Sequence, residues 1–141
     1  MITDQIPPID FSLNLRGHLV EFSRPAVMAI INATPDSFYA GSRSASAAEV
    51  AASARRAIAE GADMLDIGAY SSRPGADDVA PEEEMRRLAM ALRAVREVDP
   101  TIPVSVDTFR ADVAEACVTL HGADIINDIS GGTLDEAMFP T

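Results

Sequence analysis

The sequence predicts an α/β fold in which a parallel sheet is covered by helices, as in the first half of a (β/α)8 barrel. Short apolar runs alternate with amphipathic segments, and each run ends in polar side chains, where barrels keep their active sites. The stretch 61–67 is also echoed at 122–128, as stacked βα units would produce. A complete barrel needs roughly 200 residues or more, which the 141 residues exclude. A three-layer sandwich of four strands remains an alternative.

The predicted domain covers residues 1–141 and begins with an N-terminal arm and hairpin over residues 1–25. Apolar segments on either side of Arg16-Gly17-His18 predict a strand pair with a turn between them. Residues 26–141 are expected to hold βα units one to four, with the fourth unit truncated.

The first βα unit is marked by clear start and stop signals. Residues 27–31 form a short apolar run after Pro25, which predicts a buried strand. Ser46 followed by Glu49 is a capping-box pattern, and Gly61 is placed to end the helix that this box begins. We expect the second strand directly afterwards, at 64–68.

The later units repeat this order. Pro81 and three glutamates predict the start of a second helix, and 103–107 is the third predicted strand. A third helix precedes the fourth strand at 125–128. Cys117 lies on the apolar face of that third helix, which favours a role in packing.

Composition excludes several classes of partner and chemistry. Eleven basic residues, all arginine, stand against 22 acidic ones, and the net charge of −11 would repel nucleic acid and anionic membranes. The lack of lysine excludes Schiff-base chemistry on this chain. Neither a signal peptide nor a membrane-spanning run is recognisable, so we expect a cytoplasmic location.

Strand periodicity predicts one polar cluster. If the apolar strand residues face the helices, Asn32, Asp66, Asp107 and Asn127 point to the other side of the sheet. Such a concave set suits the edge of a guanine-like ring, with its N–H donors and carbonyl acceptors, but it could equally hold metal ions. Asn32 offers the neutral oxygen that Mg²⁺ accepts when a substrate phosphate supplies the rest. The alternative is that these residues only cap the following helices.

Two loops add polar groups at the same ends of the strands. The loop after the first strand contains Asp36 and Phe38, and the loop after the second contains Ser72 and Arg73. Arg73 is the expected partner of a phosphate or carboxylate, with a surface ion pair to a neighbouring aspartate as the alternative.

Taken together, the motifs resemble those of the dihydropteroate synthases, folate-pathway enzymes that sulfonamide drugs inhibit. The order and spacing of four motifs agree over nearly all of the chain. In chain order they are Asn32-Ala33-Thr34-Pro35-Asp36-Ser37-Phe38, Asp66-Ile67-Gly68 with Ser72-Arg73-Pro74-Gly75-Ala76, Ser105-Val106-Asp107-Thr108 and Ile125-Ile126-Asn127-Asp128-Ile129. The resemblance implies condensation of 6-hydroxymethyl-7,8-dihydropterin diphosphate with 4-aminobenzoate to give 7,8-dihydropteroate and pyrophosphate.

The resemblance also implies roles for the strand residues. Asn32 would bind the Mg²⁺ that holds the diphosphate, and Asp107 and Asn127 would read the edge of the pterin. Asp66 would be a supporting group in the same pocket. Loss of a Mg²⁺-bound diphosphate needs no side-chain nucleophile, because the electron-rich pterin stabilises the charge that develops.

For the loops, the resemblance implies closure over the leaving diphosphate and a pocket for aminobenzoate, formed by Asp36, Phe38, Ser72 and Arg73. The family usually has threonine where this chain has Ser72, which keeps the hydroxyl, and glutamate where it has Tyr70, for which no role is predicted.

The family's later half contributes a further aspartate, a lysine, an anion site and the usual homodimer interface, and none of these is matched here. We therefore expect this chain to be the N-terminal half of such an enzyme and to be inactive alone. Two alternatives are a methyltetrahydrofolate-binding methyltransferase domain, which the two loops argue against, and a non-catalytic pterin-binding half-barrel.

Overall fold

The computed structural model describes residues 10–34, 46–70 and 78–141. Its first element is the predicted hairpin, formed by strands β1 (Phe11–Leu15) and β2 (His18–Phe22) in antiparallel register. Arg16 and Gly17 connect them with φ values of 54° and 84°, the left-handed pair that a tight two-residue turn requires. The carboxamide oxygen of Asn14 accepts a hydrogen bond from the Gly17 amide at 2.9 Å and closes this turn.

The main sheet has four parallel strands, and every neighbouring pair is joined through a helix. The strand order β3-β4-β5-β6 follows the chain order, which is the barrel arrangement, whereas a doubly wound sandwich reverses its order. The elements are β3 (Met28–Asn32), α1 (Ala47–Ala59), β4 (Met64–Gly68), α2 (Pro81–Val98), β5 (Val104–Asp107), α3 (Ala111–Thr119) and β6 (Ile125–Asn127). The predicted alternation of strands and helices is confirmed.

The core lies between the helices and one face of this sheet. Alternate strand residues enter it, so the strands are sorted by the period of two that their sequence predicts. The strand members are Ile31, Leu65, Ile67, Val104 and Val106, and the helices contribute mainly Val50, Leu88, Leu92, Val95, Val113 and Cys117. Burying each of the larger side chains stabilises the fold by about 1.5–3 kcal/mol. Burial also raises the pKa of the Cys117 thiol to about 11, helped by the charge of Glu84, so this cysteine packs as predicted.

Helix α1 begins as its sequence predicts. The Ser46 hydroxyl accepts a hydrogen bond from the Glu49 amide at 3.2 Å, and the Glu49 carboxylate accepts one from the Ser46 amide at 2.7 Å. The helix is followed by Gly61 with φ of 100°, where only glycine is free of steric cost. No helix in the described ranges is both long and apolar enough to cross a bilayer.

The echoed Gly-Ala-Asp segments perform the same structural task twice. Asp63 lies just before β4, where its amide donates to the Val27 carbonyl and its carboxylate accepts from the Val27 amide, both at 2.8 Å. Asp124 lies just before β6 and makes the same pair of bonds with Val104, at 2.8 and 2.9 Å. We call each of these an aspartate latch, since it fastens the start of one strand to the start of its neighbour.

An arginine completes each latch. Arg24 reaches back from the end of the hairpin and binds both carboxylate oxygens of Asp63, at 2.6 and 3.0 Å. Arg96, from the last turn of α2, binds the Asp124 carboxylate at 2.8 Å and two backbone carbonyls nearby. The pKa of Asp63 lies below its ordinary value because of the Val27 amide first and Arg24 second.

Candidate active site at the carboxyl ends of the strands

The strand register brings the predicted polar residues into one row across the sheet. Asn32 pairs with Gly68, Gly68 with Asp107, and Asp107 with Asn127. Their chain neighbours on each strand enter the core, so this row, which we call the upper row, lies on the face opposite the helices. The sequence predicted that Asn32, Asp107 and Asn127 share this face, and the structure places all three there. Gly68 separates Asn32 from Asp107.

Asp66 lies one step lower on the same face. Register pairs it with Ile30 on one side and with Ser105 on the other, forming a lower row. The Asn127 amide donates to Asp66 Oδ2 at 3.3 Å and links the two rows. Asp66 Oδ1 and Ser105 Oγ are buried and have no hydrogen-bond partner within ranges 10–34, 46–70 and 78–141. Leaving a buried polar atom unpaired costs about 1–3 kcal/mol. A ligand that donated hydrogen bonds to these oxygens would recover that cost.

Asp107 is the carboxylate of the upper row. Its Oδ1 accepts a hydrogen bond from the Tyr70 hydroxyl at 3.2 Å. Burial raises the pKa of Asp107, the Tyr70 bond opposes the rise, and the charges of Asp66, Glu84 and Asp128 add to it. Burial and the Asp107 charge in turn raise the pKa of Tyr70 far above its ordinary value, so the phenol remains a donor.

A series of side-chain contacts connects Tyr70 to the start of α2. The ring of Tyr70 and that of Phe109 form a T-shaped pair with centroids 5.4 Å apart, and the Arg110 guanidinium lies 4.7 Å above the Phe109 ring. Arg110 forms an ion pair with Glu84, a fully buried residue in the first turn of α2. Glu84 Oε1 lacks a partner among the residues that the structure describes. The segments that follow β4 and β5 are thereby joined.

The alternative role as helix caps does not fit the upper row. Helix α1 is capped by Ser46, and Ala80 precedes α2 without a side-chain cap bond. The first amide of α3 donates to Asp135, which reaches back from beyond β6, at 2.8 Å. None of Asn32, Asp107 and Asn127 has a capping role in the described part of the chain, which leaves them available to a ligand.

The donor chemistry at Asn32 fits a magnesium ion that is shared with a phosphate. Asn32 is exposed at one end of the upper row. Within the described ranges, no three His, Cys, Asp or Glu side chains converge as a metal cluster would require. A single neutral oxygen suits Mg²⁺ that keeps waters and takes its other ligands from substrate phosphates.

Four residues predicted for the site lie outside the described residues: Asp36, Phe38, Ser72 and Arg73. Their roles stay predictions. Sequence reasoning gave no role to Tyr70 and no separate one to Ser105, although Ser105 has the same strand parity as Asp107. For Tyr70, nothing in the local sequence signals a contact with a residue 37 positions away.

Comparison with known proteins gives one consistent answer. A family model described as pterin binding enzyme matches residues 28–141. The "Folate synthesis bifunctional protein" of Arabidopsis thaliana is 45% identical over 125 residues, which cover 86% of this chain and 25% of that protein.

Similar solved structures lead to the same family. Dihydropteroate synthase of Burkholderia cenocepacia, complexed with 7,8-dihydropteroate, is 39% identical with a TM-score of 0.70, over 86% of this chain and 39% of that one. The Xanthomonas albilineans enzyme with 4-aminobenzoic acid is 40% identical with a TM-score of 0.74, over 89% and 46%. The predicted barrel class is confirmed, and the chain spans less than half the length of these relatives.

Proposed function

The chain belongs to the pterin-binding enzyme family, and from that premise we propose that it serves the dihydropteroate synthase reaction. In that reaction the bond between the pterin methylene carbon and the diphosphate oxygen breaks, and a bond from that carbon to the amine of 4-aminobenzoate forms as the amine loses a proton. The observation that carries the proposal is the upper row, because it aligns one carboxylate and two carboxamides on the face without helices.

Asp107 and Asn127 are the residues proposed to read the pterin. A pterin edge presents N–H donors beside a carbonyl acceptor, and a carboxylate next to a carboxamide is complementary to that pattern. The Asn127 carboxamide donates one N–H to Asp66, which leaves its carbonyl oxygen and its second N–H for a ligand. Asp66 is thus a supporting group that orients Asn127.

Asn32 lies two strand spacings from Asp107, roughly 10 Å, which separates a phosphate site from a ring-reading site. With the diphosphate, Asn32 would hold Mg²⁺, which supplies neutralisation of the leaving group. Asp36, Phe38, Ser72 and Arg73 are proposed to close over the diphosphate and to shape the aminobenzoate pocket, where sulfonamides would compete.

The charge that develops on the pterin methylene needs no covalent partner from the protein. The ring itself stabilises that charge, and the Asp107 carboxylate adds electrostatic support from a half-buried position. The net charge of −11 supports small-molecule substrates over nucleic acid or membranes. The cytoplasmic location and the homodimer expected from the family stay predictions.

The proposal is tested by pyrophosphate release with Mg²⁺, the pterin diphosphate and 4-aminobenzoate. The 141-residue chain is assayed beside a chimera in which residues 28–141 replace the matching segment of the Xanthomonas albilineans enzyme. Turnover by either protein supports the function, and turnover by the chimera alone shows that further segments are needed. Pterin binding without turnover in both identifies a non-catalytic binder, and no pterin binding in either contradicts the proposal.

A further inference from the structure

Tyr70 is the residue of the site that the sequence left without a role. It lies two residues beyond the end of β4, half-buried, and its hydroxyl reaches across to Asp107 Oδ1 at 3.2 Å. Its ring is fixed separately by the edge contact with Phe109. The hydroxyl is therefore held in place by packing that does not depend on Asp107.

The two oxygens of Asp107 have different surroundings. Oδ1 accepts the Tyr70 bond, whereas Oδ2 lies toward Gly68, where a Cβ atom would be only 3.7 Å from it. Because Gly68 has no side chain, no Cβ atom at this position covers Oδ2 on the side of the upper row that leads to Asn32. The terminal torsion of an aspartate is broad and roughly two-fold, so without a fixed partner the carboxylate would sample several orientations.

We propose that Tyr70 is a positioning residue for pterin recognition: it holds the Asp107 carboxylate in one orientation, so that Oδ2 is the oxygen that accepts the N–H groups of the ring. This inference rests on the proposed function. The contact between Phe109 and Arg110, and the ion pair of Arg110 with the buried Glu84, hold in place the ring against which Tyr70 packs.

The charges around Asp107 make this positioning useful. Asp66, Glu84 and Asp128 are carboxylates that act on it, and the guanidinium of Arg110 is already paired with Glu84. The Tyr70 hydroxyl is the hydrogen-bond donor that favours the ionised form of Asp107 among the described residues. Tyr70 therefore orients the carboxylate and also favours the charged state that accepts from a pterin.

The test compares two variants in the 141-residue chain. Tyr70→Phe removes the hydroxyl and keeps the ring. Thr101→Val is the matched control, because it removes another hydroxyl that donates to a carboxylate, that of Asp99 at 2.8 Å, before the opposite end of β5. Asp99 keeps its bonds to two backbone amides in this control.

Calorimetric titration with the pterin diphosphate and Mg²⁺ is the first measurement. We expect about 5-fold weaker binding in Tyr70→Phe, the effect of one net hydrogen bond, and unchanged binding in Thr101→Val. Carbon NMR of the Asp107 carboxyl is the second measurement. Its pKa is expected to rise in Tyr70→Phe alone, because the lost bond favoured the charged form.

The outcomes separate this inference from the proposed function. If the wild-type chain binds no pterin diphosphate, the same two variants are compared in the chimera, and the proposed function fails, and the inference with it, if the chimera binds none either. If the wild type binds and Tyr70→Phe binds equally well, the inference alone is overturned. Weaker binding without a change in the Asp107 titration also overturns it, because a general loosening of the site would then be the cause.

Discussion

Aspartates at the two ends of the parallel sheet have opposite surroundings. At the amino ends, Asp63 and Asp124 each bind an arginine and a backbone amide at or just before the start of the neighbouring strand. At the carboxyl ends, Asp66 keeps one oxygen without a partner in the described ranges, and Asp107 is half-buried among other carboxylates. The same residue type is thus satisfied at one end and left with unused capacity at the other.

The difference fits the proposal that the two ends of the sheet serve stability and ligand binding separately. A satisfied aspartate lowers the free energy of the folded chain, whereas an aspartate with a raised pKa costs stability and is poised to interact with a ligand. Barrel enzymes place their chemistry at the carboxyl ends of the strands and their structural contacts at the amino ends. Substitutions at the two ends should therefore affect different measurements.

The largest expected effect is on stability, from Asp124→Ala. The variant leaves the Val104 amide and part of the Arg96 guanidinium without their partner, although both groups are largely buried. We expect a loss of about 2–4 kcal/mol in the free energy of unfolding, measured with urea. Asp124→Asn, which keeps one acceptor oxygen, should lose less, and an equal loss in both variants would show that the oxygen contacts are not what stabilises this end.

The next effect is on binding, from Asp107→Asn. The amide still accepts the Tyr70 bond but loses the charge that attracts ring N–H donors, so pterin diphosphate binding should weaken by about 10- to 100-fold. Binding of 4-aminobenzoate should change much less. Equal losses for both ligands in calorimetric titrations would remove Asp107 from the role of reading the pterin.

Much of the difference between the two ends of the sheet can be predicted from the sequence, because the signals for it lie within short segments. Alternation along each strand is enough to place Asn32, Asp107 and Asn127 on one face, and the Ser46 box and Pro81 mark helix starts. The echo at 122–128 indicated stacked units, but its purpose, the aspartate latch, depends on which strand lies alongside.

Contacts between distant segments could not be predicted in the same way. The bond from Tyr70 to Asp107 and the pairing of Glu84 with Arg110 join segments 37 and 26 residues apart. The first depends on how β4 lies beside β5 and the second on how α2 lies beside the start of α3, which no local periodicity encodes. A buried glutamate in the first turn of a helix looks, in the sequence alone, like any acid placed to complement the helix dipole.

Measuring stability against pH in Asp107→Asn and in Asp63→Asn compares the two ends of the sheet directly. The pKa of Asp107 is raised, so the stability linked to its protonated form is present below its unfolded pKa, near 4, and is lost as the pH rises through the folded pKa. Asp107→Asn should therefore be more stable than wild type at pH 7, and the gain should fade in acid.

Asp63 should behave in the opposite way. Its pKa is lowered by the Val27 amide and by Arg24, so its stabilisation is present above about pH 4 and is lost as the pH falls through the folded pKa. Asp63→Asn should be less stable than wild type at pH 7, with the deficit shrinking in acid. Thermal unfolding from pH 3 to pH 8 measures both variants, and changes of the same sign in the two would contradict the division between the ends.

The smallest expected effects come from two glycines near the opposite ends of β4. Gly68 lies within the strand, and an added methyl group would be 3.7 Å from Asp107 Oδ2, an ordinary contact. Gly68→Ala should leave the fold as stable or raise its stability by about 0.4–1 kcal/mol, while the methyl group covers the row and weakens pterin diphosphate binding.

Gly61→Ala is the control at the amino end, where φ of 100° makes alanine strained but no ligand is expected. It should lower stability by about 1 kcal/mol and leave pterin binding unchanged. If Gly68→Ala lost stability and kept full affinity, the uncovered space beside Asp107 would have a structural purpose, and Oδ2 would not be the oxygen that meets the ring.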